Sequence, residues 1–586
     1  MRPVQTPKAA SVIETKDLSF TYEATDHPVL DHVSLSLGKG EFVLLVGPSG
    51  CGKSTLLKCF VGLIPQFSRG TFEGTVLVDG VDTSHEKVYK LAEHIGIVFQ
   101  NPEHNIFSLM VEDELAFGPE NLGLKRIDIV ERVERAINWV GIEALRKLGT
   151  YSLSGGQKQK VAIASSLAML PNILTMDEPT TDLDPVSAQE VVSVLEELKK
   201  KLAITIVVVE HELDELVGIA DRLIVMERGR VVLDGHPRDI LKNSYEQLAK
   251  LGLRIPQCTE IARMLSKTGV RLAEFPVTIE ETRRILANAV GNQIVTRTVG
   301  TPKKTQGALL INPVIDFRDV SFSYDGKKMV LKDLDLQIHT GEFVAIIGAN
   351  GSGKSTMAKL TVGLVKPVRG IVTVDGLNTA KTDVRKIAEK VGYVFQNPES
   401  QLFCNTVWDE VAFGLRQKNL DPVEIEAKVQ EVLSVVNLLQ YKTRHPATLS
   451  RGEKRRLAVG TALPTVPKAF VFDEPTTGQD YKTLHGLLGL VSRLNREYNT
   501  AIVMITHDME IVPEFASRIV VLSDGKKMLD GPPASVLTED LDMLVKLRLK
   551  PPPVSLITKD LMSPPAHTIK DFTASLATLT NRSSSL

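Results

Sequence analysis

The chain has 586 residues, 69 Lys and Arg against 71 Asp and Glu, and a formal net charge of −2. At roughly 150 residues per domain, this length predicts about four domains, and the near-neutral charge argues against a broad nucleic-acid-binding surface. The four cysteines stand apart without a CxxC pair, which argues against a disulfide framework, a zinc site or an iron–sulfur site.

The beginning of the chain does not resemble a targeting segment. Its first residues, MRPVQTPKAAS, lack the apolar core of a signal peptide. The most apolar runs, residues 204–209 and 501–505, are much shorter than the roughly 18 residues that a membrane-spanning helix needs. These features favour a cytosolic chain.

The sequence contains two copies of one domain. GPSGCGKST, which starts at Gly47, returns as GANGSGKST from Gly348. VFQNPE from Val98, LS-x-G from Leu153 and DEPTT from Asp177 each recur 296 residues later. A constant spacing over unrelated motifs indicates a duplication.

Each copy opens with the pattern of an α/β domain. Residues 41–46 and 342–347 are short apolar runs that end at glycine, and LLKCFVGL or MAKLTVGL then follows with helical spacing. Residues 173–176 and 204–209, with their counterparts in the second copy, have the composition of buried strands. The pattern predicts a mainly parallel sheet with helices on both faces.

Both copies carry a loop suited to phosphate. Glycines let the backbone N–H groups surround phosphate oxygens at a helix N-terminus. Lys53 is then expected to reach the β- and γ-phosphates, and the Ser54 hydroxyl to ligate Mg²⁺. The predicted residues are Gly47, Gly50, Gly52, Lys53, Ser54 and Thr55, with Gly348, Gly351, Gly353, Lys354, Ser355 and Thr356 in the second copy.

An acidic pair follows a hydrophobic strand in each copy. Asp177 and Asp473 are placed to hold the hydration shell of Mg²⁺. Glu178 and Glu474 come next and can orient or deprotonate an attacking water. The alternative interpretation of an acidic pair before Pro-Thr-Thr is a turn or a helix cap.

A histidine ends a β-rich run in each copy, His211 after ITIVVVE and His507 after TAIVMIT. A histidine in such a position is usually structural. Its recurrence at the common spacing favours a sensor of the γ-phosphate.

In this order, the motifs resemble the ATPase domain of ABC transporters: a Walker A loop, a Q-loop glutamine, an LSGGQ-like signature, a Walker B strand with its glutamate, and a switch histidine. The resemblance covers nearly the whole chain and implies ATP and Mg²⁺ as ligands. It makes Gln100 and Gln396 the Q-loop residues beside Mg²⁺. Tyr22 and Tyr324 would stack on adenine, with ordinary strand aromatics as the alternative.

In that family, two ATPase domains meet head to tail, and each ATP lies between one Walker A loop and the other domain's signature. Asp184 and Asp480 match the D-loop. The first implied site combines Lys53, Ser54, Gln100, Asp177, Glu178 and His211 with Ser450 and Gly452. The second combines Lys354, Ser355, Gln396, Asp473, Glu474 and His507 with Ser154, Gly155 and Gly156.

The second signature departs from the family pattern. It reads LSRGE, so that Arg451 replaces a glycine and Glu453 replaces a glutamine. Arg451 adds bulk and positive charge that Glu453 can partly neutralise. We expect both sites to bind and hydrolyse ATP, with unequal turnover as an open question.

The resemblance also predicts the domain layout. The duplication continues past the motifs, because LGLRIPQCTEIARML and LRLKPPPVSLITKDLM keep the same spacing. A disordered Ser/Thr-rich tail is the alternative for the end of the chain. We predict an ATPase domain with a helical subdomain at residues 11–245 and at 312–541, a small appended domain at 246–287 and at 542–580, and a linker at 288–311.

The segments after the Q-loop glutamines narrow the resemblance. FQNPEHNIFSLMVEDELAFGPENLGL and FQNPESQLFCNTVWDEVAFGL are similar to the ATPase subunits of energy-coupling-factor (ECF) importers. Those importers take up vitamins, vitamin precursors or transition-metal ions. The implied partners are a transmembrane coupling subunit and a substrate-capture membrane protein, at the cytoplasmic face of the membrane.

Two alternatives stay open. One is the ATPase of a different class of ABC importer. The other is a soluble tandem ABC ATPase that acts on ribosomes or nucleic acid. The long charged linker and the cysteine cluster typical of such ATPases do not occur in this sequence, so no nucleic-acid partner is expected.

Residues 101–107 and 397–403 mix polar side chains with an Ile or Leu and a Phe. That composition suits a groove for an amphipathic helix of a membrane partner. The alternative is a surface loop with a buried Phe107 or Phe403.

Cys51 lies inside the first phosphate loop, close to a helix N-terminus and to Lys53. Such surroundings favour a thiolate. The alternative is a small residue that the turn tolerates.

Overall fold

The computed structural model describes residues 11–23, 25–181, 183–267, 272, 274–290, 295–296, 313–418, 420–477, 479–537 and 541–583. The chain divides into two compact units, Met1–Thr282 and Arg283–Leu586. The predicted linker at 288–311 lies outside the described residues, apart from 288–290 and 295–296. Among the described residues, no helix has both the length and the apolar character needed to span a membrane.

The first unit alternates strands and helices. Its strands are β1 (Ser11–Tyr22), β2 (Leu30–Gly38), β3 (Phe42–Val46), β4 (Gly70–Val78), β5 (Val81–Asp82), β6 (Ile95–Val98), β7 (Ile173–Asp177), β8 (Thr205–Glu210), β9 (Arg222–Glu227) and β10 (Arg230–Gly235). Its helices are α1 (Lys53–Phe60), α2 (Leu63–Gln66), α3 (Val88–Leu91), α4 (Val111–Asn121), α5 (Arg126–Val140), α6 (Gly155–Ala168), α7 (Pro185–Lys201), α8 (Pro237–Asn243), α9 (Tyr245–Lys250) and α10 (Gln257–Lys267), and α11 (Ile279–Val290) crosses into the second unit.

The second unit repeats this order. Its strands are β11 (Val295–Thr296), β12 (Ile315–Phe322), β13 (Leu331–Ile338), β14 (Phe343–Ile347), β15 (Arg369–Val374), β16 (Leu377–Asn378), β17 (Val391–Val394), β18 (Ala469–Asp473), β19 (Ala501–Ile505), β20 (Arg518–Ser523), β21 (Lys526–Gly531) and β22 (Met562–Ser563). Its helices are α12 (Lys354–Thr361), α13 (Val384–Ala388), α14 (Val407–Arg416), α15 (Pro422–Val435), α16 (Arg451–Ala462), α17 (Tyr481–Tyr498), α18 (Val512–Phe515), α19 (Pro533–Val536), α20 (Leu541–Lys546), α21 (Pro553–Thr558) and α22 (Ile569–Ser583).

The larger sheet of each unit is mainly parallel. In the described part of the first unit its order is β10-β9-β3-β8-β7-β6, and in the second it is β17-β18-β19-β14-β20-β21. Only the pairs β9–β10 and β20–β21 run antiparallel. A smaller antiparallel sheet, β2-β1-β4-β5 or β13-β12-β15-β16, accompanies each large one. The predicted α/β class with two tandem P-loop domains is confirmed.

Hydrophobic sequence explains why the central strands pair as they do. Every residue of β3 and of β14 is buried, as expected for parallel strands covered on both faces. In the first unit, one core packs the large sheet against α4, α5, α6 and α7, and a second core fills the space between the two sheets and α1. The second unit has the same pair of cores. The layers leave the carboxyl ends of the parallel strands free to carry loops.

The segments predicted as appended domains are mostly helical. The first contains α10 and the beginning of α11, and the second contains α21 and α22. Helix α22 continues to Ser583, into the stretch for which a disordered tail was the alternative. Strand β11 pairs in parallel with β22 within the second unit. The boundaries of these small domains stay a prediction.

Candidate functional site

The first phosphate loop lies between β3 and α1, at the carboxyl edge of the large sheet. Gly52 precedes the helix with φ +106°, and a Cβ there would lie 2.6 Å from the carbonyl oxygen of Val29. Gly50 also has a positive φ, +78°, but no atom lies within 4 Å of its would-be Cβ. Glycine is therefore required for the backbone path, and the loop opens onto free space.

Hydrogen bonds fix the side chains of Lys53 and Ser54, which follow this loop at the start of α1. The Lys53 Nζ atom donates to the carbonyl oxygens of Gly47 at 2.7 Å and Pro48 at 3.2 Å. The Ser54 Oγ atom donates to Asp177 Oδ1 at 2.9 Å. An ammonium group, a hydroxyl and a carboxylate thus converge around the loop.

The residues present fit a magnesium–phosphate group. Burial raises the pKa of Asp177, although the hydrogen bond from Ser54 acts against that rise. A buried carboxylate of this kind gains from a nearby cation. The hydroxyl and carboxylate oxygens of Ser54 and Asp177 are ligands that Mg²⁺ prefers. The loop N–H groups and Lys53 offer the donors that phosphate oxygens require.

Glu178 lies at the centre of a hydrogen-bonded set in the first half. It is buried with φ +49°, a left-handed conformation that side-chain-bearing residues seldom adopt. Gln100 Nε2 donates to its Oε2 at 2.6 Å, and His211 Nε2 lies 2.6 Å from its Oε1. The structure therefore brings together the predicted Q-loop, Walker B and switch residues.

The second half repeats the phosphate loop closely. Lys354 Nζ donates to the carbonyl oxygens of Gly348 at 2.7 Å and Ala349 at 3.0 Å. Ser355 Oγ donates to Asp473 Oδ1 at 3.0 Å. Gly351 has φ +78° and open space beside it, as Gly50 does. The residues of this loop fit the same group.

The two halves differ in the hydrogen bonds made by the aspartate that follows the hydrophobic strand. Tyr393, at the position of Ile97 in the repeat, donates its hydroxyl to Asp473 Oδ2 at 2.9 Å. Burial raises the pKa of Asp473, against the lowering effect of this hydrogen bond. Two hydroxyl donors therefore hold Asp473.

His507 contacts Glu474, the predicted catalytic glutamate of the second half. Its Nδ1 atom lies 3.0 Å from Glu474 Oε2, whereas His211 uses Nε2 in the first half. Burial acts to lower the pKa of His507, but the bond and charge of Glu474 outweigh it and the pKa is raised. Glu474 has φ +49°, as Glu178 does. The glutamate–histidine pair is therefore common to both halves.

The signature serines begin helices. Ser154 caps α6 in a capping box with Gln157, and Ser450 caps α16 in the same motif with Glu453. The Ser450 hydroxyl also donates to Glu453 Oε2 at 2.8 Å. The negative charge of Glu453 therefore lies beside the signature serine of the second half, whereas the neutral amide of Gln157 occupies this position in the first half.

Packing explains which signature glycine can vary. A Cβ on Gly156 would lie 2.6 Å from Ser187 Cβ, and one on Gly452 would lie 2.2 Å from Thr483 Cγ2. A Cβ on Gly155 would meet only Leu183, at 3.5 Å, which is ordinary contact. The exposed Arg451 occupies this tolerant position, so that its backbone needs no adjustment.

In each half, hydrogen bonds hold the predicted adenine-binding tyrosine and the predicted D-loop aspartate. The Tyr22 hydroxyl lies 3.2 Å from Thr55 Oγ1, and Tyr324 makes the same contact with Thr356. The D-loop aspartates cap long helices: Asp184 accepts from Val186 and Ser187 at the start of α7, and Asp480 accepts from Thr483 at the start of α17.

The segment after each Q-loop glutamine exposes an aromatic pair, which we call the Phe pair. Phe107 is 73% exposed and stacks on Phe117, with ring centres 5.9 Å apart. Phe403 is 67% exposed and meets Phe413 edge to face at 4.9 Å. The alternative of a buried phenylalanine is therefore wrong.

A buried glutamate sets the conformation of each segment. The backbone N–H groups of Phe107 and Ser108 donate to Glu114 Oε2 at 2.8 and 2.7 Å. Phe403 and Cys404 donate in the same way to Glu410. The Phe pairs are thus held by rigid polar supports.

Cys51 does not fit a thiolate. Burial raises the pKa of its thiol, and this effect exceeds the lowering effect of Lys53. The small-residue interpretation is the better one.

Three residues beside the sites went unnoticed in the sequence. They are Tyr393, Glu210 and Arg455, whose repeat partners are Ile97, Thr506 and Gln159. The signal that could have found them is a change from apolar or neutral to polar or charged between equivalent positions of two otherwise matching copies.

The chain is similar to known proteins over most of its length. The ABC transporter family matches residues 30–181 and 331–477. A "Putative ABC transporter ATP-binding protein" of Methanosarcina mazei is 41% identical over 91% of this chain and 91% of its own length. The "Putative HMP/thiamine import ATP-binding protein YkoD" of Bacillus subtilis is 36% identical over 92% of this chain and 95% of its own. The structure of cbiO1 from Clostridium perfringens, described as part of the ABC transporter complex cbiONQ, is 35% identical over 43% of this chain and 99% of that one, with a TM-score of 0.37.

Proposed function

This chain belongs to the ABC transporter family as an ATP-binding protein with two ATPase domains, and from that premise we propose that it drives an importer of the ECF type. ATP is its substrate, Mg²⁺ its cofactor and ATP hydrolysis its reaction. The proposed cargo is a vitamin, a vitamin precursor or a transition-metal ion.

The import role has two supports in the comparisons and the sequence. The relative named for HMP/thiamine import matches nearly the whole length of both chains. The segments after Gln100 and Gln396 are similar to those of ECF ATPases. We therefore place the chain on the cytoplasmic face of a membrane, bound to a transmembrane coupling subunit and, through it, to a substrate-capture protein.

The observation that carries this proposal is the exposed Phe pair of each half. An aromatic surface of this size on a rigid support suits the apolar face of a partner helix. The supporting segments are tied to the signature helices, because Lys158 lies 2.6 Å from Glu103 and Lys454 lies 2.6 Å from Glu399. A helix seated on a Phe pair would therefore follow the signature helix beside it.

We propose that the two ATP sites are composite, each joining one phosphate loop to the other half's signature. Lys53 and the loop amides would bind the phosphates, while Ser54 and Asp177 would hold Mg²⁺, which would neutralise phosphate charge. Glu178 orients and deprotonates the attacking water, and His211 contacts the γ-phosphate and fixes the orientation of Glu178. The second site uses the matching set around Glu474. Closure on ATP and reopening after hydrolysis would move the membrane partner.

The test is co-purification of the chain with its membrane partners. Replacing both exposed rings, Phe107→Ala with Phe403→Ala, is expected to abolish recovery of the membrane subunits while leaving ATP binding unchanged. Phe67→Ala is the matched control, because Phe67 is 75% exposed but lies outside both segments.

Unchanged recovery of membrane proteins with the double variant would contradict the proposed docking surface. Recovery of the chain without any membrane protein, together with ATP hydrolysis stimulated by RNA or DNA, would contradict the import role itself.

A further inference from the structure

The Pro-Thr-Thr turn after the catalytic glutamate is held differently in the two halves. In the first half it covers residues 179–181, and Glu210 at the end of β8 holds it. Thr180 donates to Glu210 Oε1 through its backbone N at 3.1 Å and its hydroxyl at 2.7 Å. The Thr181 hydroxyl lies 3.4 Å from Glu210 Oε2. This turn is therefore attached to the central sheet.

In the second half, the turn covers residues 475–477 and the position of Glu210 is taken by Thr506. The Thr506 hydroxyl meets the Thr476 hydroxyl at 2.9 Å. A single contact between two neutral hydroxyls replaces the three contacts to the Glu210 carboxyl group.

The stronger attachment of the second turn comes from the signature helix. Arg455 lies in α16 and is only 1% exposed. Its guanidinium donates to the carbonyl oxygens of Pro475 and Thr477, the latter at 2.8 Å. It also reaches the carbonyl oxygen of Gln396, the Q-loop residue, at 3.4 Å. One side chain thus links helix, turn and Q-loop.

Among the described residues of the first half, no side chain of α6 makes the corresponding link. Gln159 occupies the position of Arg455 in α6 and is buried. Its Nε2 atom has no hydrogen-bond partner among the described residues. The bridge from signature helix to catalytic turn is therefore particular to the second half.

Guanidinium chemistry explains why arginine serves as this bridge. Its planar group carries several N–H donors in fixed directions, so that it can hold two carbonyl oxygens at a set separation. A buried charge also needs these acceptors, because leaving it without hydrogen bonds is costly. A movement of α16 must then carry the turn that follows Glu474.

We propose that Arg455 is a positioning residue for hydrolysis at the second site, where it couples the movement of the signature helix α16 to the orientation of Glu474. In the first half, Glu210 holds the corresponding turn to the sheet, and that turn moves independently of α6. The proposal rests on the family's ATP hydrolysis and does not require the import role.

The test measures hydrolysis at one site at a time. In a Glu178→Gln background, where Glu474 alone can act, Arg455→Gln is expected to lower kcat about tenfold to a hundredfold, the range expected for a misplaced catalytic group. Binding of a fluorescent ATP analogue and the KM for ATP should stay within about twofold, because the carbonyl oxygens that Arg455 holds belong to the turn and the Q-loop. In a Glu474→Gln background, the same change should reduce kcat by a much smaller factor.

Two further variants separate positioning from a general effect on stability. Arg455→Lys keeps the charge but presents a single ammonium group, so that its kcat should lie between those of the parent and Arg455→Gln. Arg493→Gln is the matched control, because Arg493 also donates to a backbone carbonyl, that of Val435 at 3.1 Å, but from an exposed position. Arg493→Gln should leave kcat unchanged.

A normal kcat for Arg455→Gln in the Glu178→Gln background would overturn the proposal. Equal losses in the two backgrounds would also overturn it, since they would indicate a general structural role. If Arg455→Gln fails to fold or to bind the ATP analogue, Arg455→Lys decides by the same criteria.

Discussion

The two halves match at the phosphate side of their sites and differ behind the catalytic carboxylate. Lys53 and Lys354 each donate to the first loop carbonyl at 2.7 Å, and Ser54 and Ser355 reach their aspartates at 2.9 and 3.0 Å. Behind the glutamates, the first half relies on the buried carboxyl group of Glu210 and the second on the buried guanidinium of Arg455. Residues that bind phosphate must be the same in both halves, because the phosphate requires the same donors. Residues that only support the glutamate can differ between the halves, and this difference can make the two sites unequal.

Packing at the signature decides which of its two glycines can be replaced, and Gly156→Ala tests this with the largest expected effect on stability. The new methyl group would meet Ser187 Cβ at 2.6 Å. Overpacking of this kind costs about 1–3 kcal/mol. The midpoint of thermal unfolding should fall by several degrees.

Gly155→Ala is the matched control, because a Cβ there makes only an ordinary contact at 3.5 Å with Leu183. Its midpoint should stay near that of the parent. Equal destabilisation by the two changes would contradict the explanation given for Arg451.

The Tyr393 hydroxyl distinguishes the proposed Mg²⁺ site of the second half, and Tyr393→Phe should weaken Mg²⁺ binding there. The hydroxyl supports the ionised form of Asp473, and a hydrogen bond to a charged group contributes about 1.5–3 kcal/mol. In the Glu178→Gln background, the Mg²⁺ concentration for half-maximal hydrolysis should rise about tenfold.

Tyr441→Phe provides a control at a tyrosine that contacts Arg444 instead of the site. Unchanged Mg²⁺ dependence in Tyr393→Phe would contradict a role of this hydroxyl in Mg²⁺ binding by the second half.

If the second signature completes the first site as proposed, the charge on Glu453 should slow hydrolysis at that site. In a Glu474→Gln background, Glu453→Gln is expected to raise kcat roughly threefold, the size of effect that one exposed charge produces. The physical reason is that a carboxylate bonded to Ser450 repels the approaching phosphate.

The reciprocal variant Gln157→Glu, measured in the Glu178→Gln background, should lower kcat by a similar factor. A fall in kcat with Glu453→Gln would show that the carboxylate assists the site instead.

The buried Glu210 should make the stability of the first half depend on pH, and this is the smallest of the expected effects. Burial raises the pKa of Glu210 from 4.5 to about 8, against the lowering effect of Thr180. Because the folded state then holds a proton that the unfolded state releases near pH 4.5, stability should decline as pH rises from about 4.5 to about 8.

Glu210→Gln cannot ionise, so that its thermal midpoint should vary less over this interval, measured at several pH values. A parallel pH dependence in parent and variant would contradict the raised pKa.

Much of the fold followed from the sequence because the duplication supplied an internal check. A motif that recurs 296 residues later, after a buried strand and before a helix, fixes both the strand and the loop. The convergence of Gln100, Glu178 and His211 was predicted from the family resemblance and not from spacing alone.

What the sequence did not reveal are contacts between distant segments that differ from one copy to the other. Arg455 stands in a run of basic residues, 454–456, and the sequence gives no sign that the folded chain buries it against Pro475 and Thr477. The Glu453 carboxylate accepts hydrogen bonds from Ser450 in the capping box of α16, a contact that its position beside Arg451 in the sequence does not predict. Local sequence does not determine which of several polar partners a side chain selects.

The central claim is that the two ATP sites are unequal, and steady-state ATP hydrolysis by Glu178→Gln and by Glu474→Gln tests it most directly. We predict that Glu474→Gln loses about a hundredfold in kcat, the scale of a missing general base, because in the proposed composite arrangement its site is completed by the unaltered LSGGQ signature. Glu178→Gln should lose only severalfold. Equal losses in the two variants would contradict the claim.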